Sequence, residues 1–243
     1  MQLGAATWPA ADASETELAV LPVGSTEQHG PHAPLGTDTL AAAAVAEGGV
    51  ERSDHEVAVA PAVPVGVAEE HRRFAGTLWV SPETFRSYVR ETVESLATHG
   101  WTRVVVVNGH GGNVAPLEEV CARLSRDGTA DAVAFTWFDA VDLEAMGVEM
   151  GHAGPVETSL LLELHPELVD ETEFDRAAAG AADHWGEWVG GVNLAHDSDT
   201  FTTSGAVGDP TESSTELGTR LYEAATDRLA TLLDAVATRP GGE

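Results

Sequence analysis

The chain has 243 residues, 43% of them apolar, which is ordinary for a globular protein and enough to bury a sizeable core. Its charge is not ordinary: 40 Asp and Glu stand against 12 basic residues, all arginine, for a formal net charge of -28 that argues against nucleic acid and anionic membranes as partners. A single cysteine excludes an internal disulfide, and the lack of a basic-then-apolar leader or an apolar run of about 18 residues leads us to expect a soluble, cytoplasmic protein.

Residues 1–17 read as a polar lead-in. Leu18–Val23 is an apolar run and predicts a buried strand. The stretch that follows, to Asp38, carries Gly30, Pro31, Pro34 and Gly36 and therefore predicts a shaped loop. Thr37 is placed to cap an alanine-rich helix from about Asp38 to Gly48. Val57–Ala60 reads as a short strand ended by Pro61. Residues 61–80 are punctuated by Pro and Gly and hold Glu69, Glu70 and His71.

Ser81-Pro82 marks a helix start. Phe85, Val89, Val93 and Leu96 then recur at helical spacing until Gly100. Arg103–Val107 predicts a buried strand opening into Asn108-Gly109-His110-Gly111-Gly112-Asn113, and a helix runs on to about Arg126. Ala132–Phe138 reads as another strand, and Leu160–Leu164 as an apolar helix. Residues 166–210 look irregular, acidic and Gly-rich, a lid or an interface. A last helix, about Glu212 to Ala237, carries Leu217, Leu221, Leu229, Leu232 and Val236 on one stripe, and the final few residues are expected to fray. Strands alternating with helices predict an α/β domain, 1–243, with a mostly parallel central sheet flanked by helices. The acids are spread along the whole chain, which reads as adaptation to salt, where the Debye length falls to about 3 Å at 1 M.

Three strand-to-helix loops carry acid or histidine: Glu27, His29 and Asp38 in the first, His110 in the second, His152 and Glu157 in the third. In a parallel sheet such loops converge at the carboxyl ends of the strands. Imidazole and carboxylate donors without thiolate suit zinc, manganese or iron(II). Three carboxylates around one divalent ion leave a net negative site, whereas two ions leave it positive and able to favour hydroxide. Asp38, with two oxygens, is a natural bridge. His32 reads as structural, His71 as a surface residue beside Glu69 and Glu70, Cys121 as core, and Trp185 and Trp188 as packing residues. No Gly-x-Ser-x-Gly elbow points to a serine hydrolase.

Glu27-Gln28-His29-Gly30-Pro31-His32 with Thr37-Asp38, the Asn108–Asn113 run, and His152-Ala153-Gly154-Pro155-Val156-Glu157-Thr158-Ser159 together resemble the creatininase (creatinine amidohydrolase) family. Glu70-His71 through Gly76-Thr77, and Ser204-Gly205-Ala206-Val207-Gly208-Asp209-Pro210, extend the resemblance over nearly the whole chain. It implies a three-layer α/β fold, homo-oligomers, commonly hexamers, and a metal-dependent hydrolase acting on C–N bonds other than peptide bonds. It implies two divalent metal ions, zinc first with manganese or iron as alternatives, held by Glu27, His29, Asp38 and His110 with Asp38 bridging. His152 would move the proton. Creatinine-acting members carry a glutamate where this chain has Gly112, so Glu157 is the expected substitute, as ligand and part of the catalytic pair with His152. They also place a tyrosine at the position of Gly111, a glutamate at that of Gly151 and a tryptophan at that of Val148. The contacts that hold creatinine thus look absent, and the substrate is expected to be a small-molecule or short-peptide amide. The glycine-pair form resembles the branch that trims the precursor peptide of the redox cofactor mycofactocin. A non-catalytic metal- or ligand-binding protein on the same fold is the alternative from another class.

Overall fold

The computed structural model describes residues 1–239, so the fraying expected at the end of the chain falls largely outside the described residues. In chain order the elements are α1 (Trp8–Asp12), β1 (Leu18–Val23), α2 (Thr37–Arg52), β2 (Ala58–Val59), α3 (Pro82–Thr98), β3 (Arg103–Asn108), α4 (Val114–Arg126), β4 (Asp131–Thr136), α5 (Leu143–Met146), α6 (Pro155–Leu164), α7 (Phe174–Gly180), β5 (Trp188–Val189), β6 (Val192–Asn193) and α8 (Thr215–Thr238).

The β-branched and apolar runs of β1 and β3 place them at the centre of a parallel sheet of order β2-β1-β3-β4. Successive side chains of a strand point to opposite faces. Leu18, Val20, Val105 and Val107 therefore meet α2, α6 and α8, through Val45, Leu160, Leu221 and Leu229 among others. Ala19, Leu21, Val104 and Val106 meet α3 and α4, through Phe85, Val89, Leu117 and Leu124. This is the three-layer, mostly parallel α/β fold expected. Ser81 caps α3 as expected, its Oγ accepting from the Thr84 amide at 3.2 Å.

Several expectations are corrected. The lead-in is structured: the Met1 ammonium donates to the Val57 carbonyl at 2.6 Å, and Gln2 pairs with Val59 along the sheet edge. Thr37 does not cap α2; it is the first helical residue, its hydroxyl donating to Pro34 O at 2.7 Å. The helix passes through Gly48 and Gly49, because those glycines admit α8: a Cβ at Gly48 would lie 2.7 Å from Thr226 Cγ2, and one at Gly49 2.5 Å from Leu229 Cδ2. α6 starts at Pro155, not Leu160, which puts Glu157 on its first turn. α8 starts later than expected, at Thr215, with the Ser214 hydroxyl accepting from Leu217 N. Residues 166–210 are not merely irregular. They hold α7 and a hairpin, β5–β6, whose tip residues Gly190 and Gly191 have φ of 59° and 83°, the left-handed backbone a two-residue primed turn requires. Among the described residues no helix is long and apolar enough to cross a membrane.

Candidate metal centre

The loop after β1 is folded on itself. The Glu27 amide donates to Leu35 O at 2.8 Å, and His29 pairs with Ala33 across a turn in which Gly30 has φ 66°. Both side chains are thereby turned inward and fully buried. Asp38 enters from the first turn of α2. His110 follows β3 and is clamped by Asn108, whose Oδ1 accepts from the His110 amide at 3.1 Å and whose Nδ2 donates to His110 O at 2.8 Å. His152 sits on a two-way bridge to Val207, at 3.1 and 2.7 Å. Ala153 beside it has φ 51°, a strained value for a residue with a Cβ. That conformation aims its amide at Glu157 Oε2, 2.6 Å away.

These residues meet at the carboxyl ends of the central strands. Asp38 faces both ways: Oδ1 lies 3.0 Å from His29 Nε2, and Oδ2 lies 3.2 Å from His110 Nδ1. On one side Glu27 Oε2 reaches His110 Nδ1 at 3.1 Å. On the other Glu157 Oε2 is 3.7 Å from His29 Nε2 and 4.0 Å from His152 Nδ1. Glu27, Asp38 and His110 form one group able to hold a cation, and His29, His152 and Glu157 another. All five residues expected as metal ligands are thus brought together, with His152 beside them.

Backbone partners assign the imidazole tautomers. His110 Nε2 faces Val67 O at 2.7 Å and His29 Nδ1 faces Glu27 O at 3.2 Å; a carbonyl only accepts, so each of these nitrogens carries the proton. The inward nitrogens, His110 Nδ1 and His29 Nε2, are then the ones turned to the carboxylates, where each takes up either a second proton or a metal ion, the arrangement that second-shell carbonyls impose on metal-binding histidines. Glu27 Oε1 and Oε2, His29 Nε2 and Asp38 Oδ2 are buried and have no hydrogen-bond partner. Leaving such groups unsatisfied costs about 1–3 kcal/mol each, and more for charges. Divalent cations would satisfy all of them, so the residues fit a metal centre.

The electrostatics agree. Burial pulls the pKa values of His29 and His110 down, yet the facing carboxylates outweigh it and hold both well above the ordinary histidine value. Burial would raise Asp38 and Glu157, but His29 with His110, and His29 with His152, hold them below the ordinary carboxylate range. His152 is lowered, by burial and by His29, and so tends to be a neutral base. Protons and metal ions compete for the same lone pairs here.

The centre lies on the floor of a cleft of ≈ 810 Å³ that Glu27, His110, His152 and Glu157 line with Trp185 and Val207. Two glycines of the cleft cannot bear side chains: a Cβ at Gly112 or at Gly151 would collide with the Val67 or Val207 carbonyl oxygen respectively. Gly111 faces open space. The glutamates expected at the positions of Gly112 and Gly151 in creatinine-acting members therefore have no room here, and Glu157 reaches the cluster from α6, 3.7 Å from His29 Nε2.

Sequence reasoning missed two residues. His71 is not on the surface: it is 1% exposed and stacks on His152, ring centroids 4.4 Å apart. Gln28 is the hub beneath both histidines, 2.9 Å from His71 Nδ1 and 2.8 Å from His152 Nε2. The Glu70-His71 pair within a Pro- and Gly-rich loop was the available signal for the first; an amide between two ligand-type residues gave none for the second. Trp185 packs edge-on against His71, His152 and Phe201, as a packing residue should, but Trp188 is 56% exposed. Val189 and Val192 of the same hairpin are each 60% exposed. His32 is structural as expected, bonded to Thr158 Oγ1 at 2.9 Å, and Cys121 is core, its thiol pushed up to about 12 by burial.

Comparison with known proteins shows the family. The family model described as creatininase, creatinine amidohydrolase, matches residues 4–233. The mycofactocin precursor peptide peptidase of Mycolicibacterium smegmatis is 38% identical over 216 residues, 86% of this chain and 81% of that protein. The creatinine amidohydrolase of Pseudomonas putida is 31% identical over 172 residues, 62% of this chain and 65% of that protein. A solved creatininase variant of Zn-Zn type superposes with a TM-score of 0.79 at 25% identity, covering 98% of each chain.

Proposed function

This chain belongs to the creatininase family of amidohydrolases, and we propose that it cleaves a short-peptide amide at a binuclear metal centre. The observation that carries the proposal is the meeting of five buried ligand-type side chains, several donor atoms unpartnered, on a cleft floor. Glu27, Asp38 and His110 would hold one divalent ion, and His29, Asp38 and Glu157 the other, zinc first with manganese or iron as alternatives. Such ions polarise a carbonyl and bring the pKa of water toward neutrality. The chain itself supplies the proton path. His152 Nε2 faces Gln28 O at 2.7 Å and so carries the proton, which leaves Nδ1 open toward Glu27 and Glu157. His152 takes a proton there and returns it to the leaving nitrogen.

A peptide is favoured over creatinine by three features. The cleft is large for a small ring. Gly112 and Gly151 bar the glutamates of creatinine-acting members. Three curated relatives at 36–38% identity, covering 86–93% of this chain, are peptidases of the mycofactocin precursor. The rim carries Glu70, Glu149, Asp183, Asp209 and Glu212, and no arginine lines it among the described residues. That field favours a substrate that is neutral or cationic beside the scissile bond. We further place the chain as a salt-adapted, cytoplasmic homo-oligomer, hexameric by family resemblance; its charge and the exposed Trp188, Val189, Val192 and Leu194 support this.

The test is metal content per chain, by elemental analysis of protein purified in high salt, with creatinine and short C-terminal peptides assayed on the same sample. Two ions with peptide cleavage lost to EDTA and regained with metal are expected. Creatinine turnover instead would sink the substrate argument, and no metal after reconstitution would overturn the mechanism.

A further inference from the structure

Behind the ligand side chains lies a histidine that the proposed reaction does not use. His71 stands on a single turn, Glu69–His71, buried between Glu27, His152 and Trp185. Its Nε2 faces Glu27 Oε1 at 3.4 Å. Its Nδ1 lies 2.9 Å from Gln28 Nε2 and 3.1 Å from Ser198 Oγ. Glu27 Oε1, His71 Nε2 and one nitrogen of His152 also lie close enough to hold a cation. His71 is therefore either a ligand or a donor, and the proton count decides between them.

The Gln28 amide is oriented by Gly30, whose N–H donates to Gln28 Oε1 at 3.0 Å. Its NH2 group thus faces three atoms: Gly205 O at 2.9 Å, His71 Nδ1 and His152 Nε2. It has two protons to give. Gly205 O accepts one. His152 Nε2 already carries a proton for the Gln28 carbonyl, so it cannot accept. The second Gln28 proton falls to His71 Nδ1 at 2.9 Å; the Ser198 hydroxyl, 3.1 Å from both Nδ1 and Glu70 O, is free to turn its proton to either and does not require one on Nδ1. A neutral imidazole that accepts at Nδ1 carries its proton at Nε2, the atom turned toward Glu27. His71 is a donor to the Glu27 carboxylate, not a ligand.

We infer that His71 is the positioning residue of Glu27: its Nε2–H engages Oε1 and leaves Oε2 directed at the Asp38–His110 group. The inference rests on the reading of Glu27 as a metal ligand. It accounts for two features together. Glu27 Oε1, fully buried, has no hydrogen-bond partner by strict geometry and has this N–H in reach. The His71 ring is held in plane by His152, 27° from parallel, and by the edge of Trp185. Glu157 has its own backbone donor, Ala153 N, so the two terminal carboxylates would each be oriented by one N–H.

The test is zinc affinity and stoichiometry, by chelator competition on the full chain in high salt, for wild type, His71→Phe and His71→Gln. Phenylalanine keeps a ring on His152 without a donor; glutamine keeps a donor near Glu27 without the ring. His71→Phe should lose about 10–100-fold in affinity at one of two zinc sites and little at the other. His71→Gln should recover most of that loss. A role in packing alone would lower the melting temperature of both variants without singling out one zinc site. Wild-type affinity in His71→Phe at both sites overturns the inference, and so does the loss of a whole equivalent of zinc in both variants, which would make His71 a ligand. Wild type that binds no zinc fails the underlying reading instead, and takes the inference with it.

Discussion

Gly112→Ala should damage the centre although it adds one methyl group. A Cβ at residue 112 would collide with Val67 O and stand 2.6 Å from His110 Nε2. Those two atoms make the 2.7 Å hydrogen bond that sets the His110 tautomer. The backbone around Val67 or the imidazole must therefore move. Breaking the bond and stranding a buried donor costs about 1–3 kcal/mol. Overpacking a tight site adds about 1–3 kcal/mol. Together they amount to about 2–6 kcal/mol, or about 4–24 °C in melting temperature for a chain of this size. Zinc affinity should fall about 10–100-fold, because the partner that orients His110 is lost. The assay is thermal unfolding with and without zinc, together with chelator competition. Gly111→Ala is the internal control: its Cβ would meet nothing within 4 Å, so both quantities should stay near wild type. A Gly112→Ala protein with wild-type zinc affinity and melting temperature would refute the argument.

Other consequences are as definite. His152→Ala should keep both metals and slow turnover by about 100-fold or more, the usual worth of a general acid–base group; unchanged turnover removes the shuttle. Glu157→Ala should lose metal, and adding Gly112→Glu should not restore it, since the Cβ alone collides; recovery of the missing equivalent would show that the loop yields. Metal-stripped protein should lose stability as pH rises. His29 and His110 have folded pKa values above their unfolded value of about 6.5, so their contribution is complete below that pH and disappears as pH passes through the raised values. The depressed Asp38 and Glu157 act oppositely, contributing above their unfolded values of about 4 and failing in acid. Zinc-loaded protein should lack the alkaline loss, which urea titrations across pH would detect. Lowering salt should reduce the melting temperature through unscreened repulsion among the 40 acids; indifference to salt would contradict the adaptation.

The central strands were legible because nothing competes with them. Four valines in Arg103–Asn108 and an unbroken apolar run in Leu18–Val23 can only be buried on both faces. The cluster of candidate ligands was legible for a related reason: histidines and acids flanked by Gly and Pro directly after such strands are carried to the same end of the sheet. What escaped was whatever depended on a distant backbone group. His71 is followed by Arg72 and Arg73, which do lie on the surface and pair with Asp197. That charged neighbourhood hid a ring turned the other way. The start of α6 was hidden because Gly154-Pro155 reads as a loop, although proline there occupies the first helical position. The length of α2 was hidden because Gly48 and Gly49 read as a stop, when their missing side chains are what let α8 approach.

If Glu157 replaces the glutamate expected at residue 112, the carboxylate comes from α6 and not from the strand-end loop, and that changes more than its position. On α6, Glu157 sits in a first helical turn, where the helix dipole favours its charge. It accepts from the Ala153 amide, an N–H aimed by the strained φ of 51°. Its carboxylate is thus oriented by backbone. What changes is the cleft: the wall at Gly111 and Gly112 is left bare, and Gly151, closed against Val207, adds no side chain opposite. A site that loses side chains on two walls while keeping its charge retains its power to polarise a carbonyl and gives up the contacts that select a small ring. Under the proposed function, the same placement of Glu157 would keep the candidate ligand set whole and admit a wider substrate.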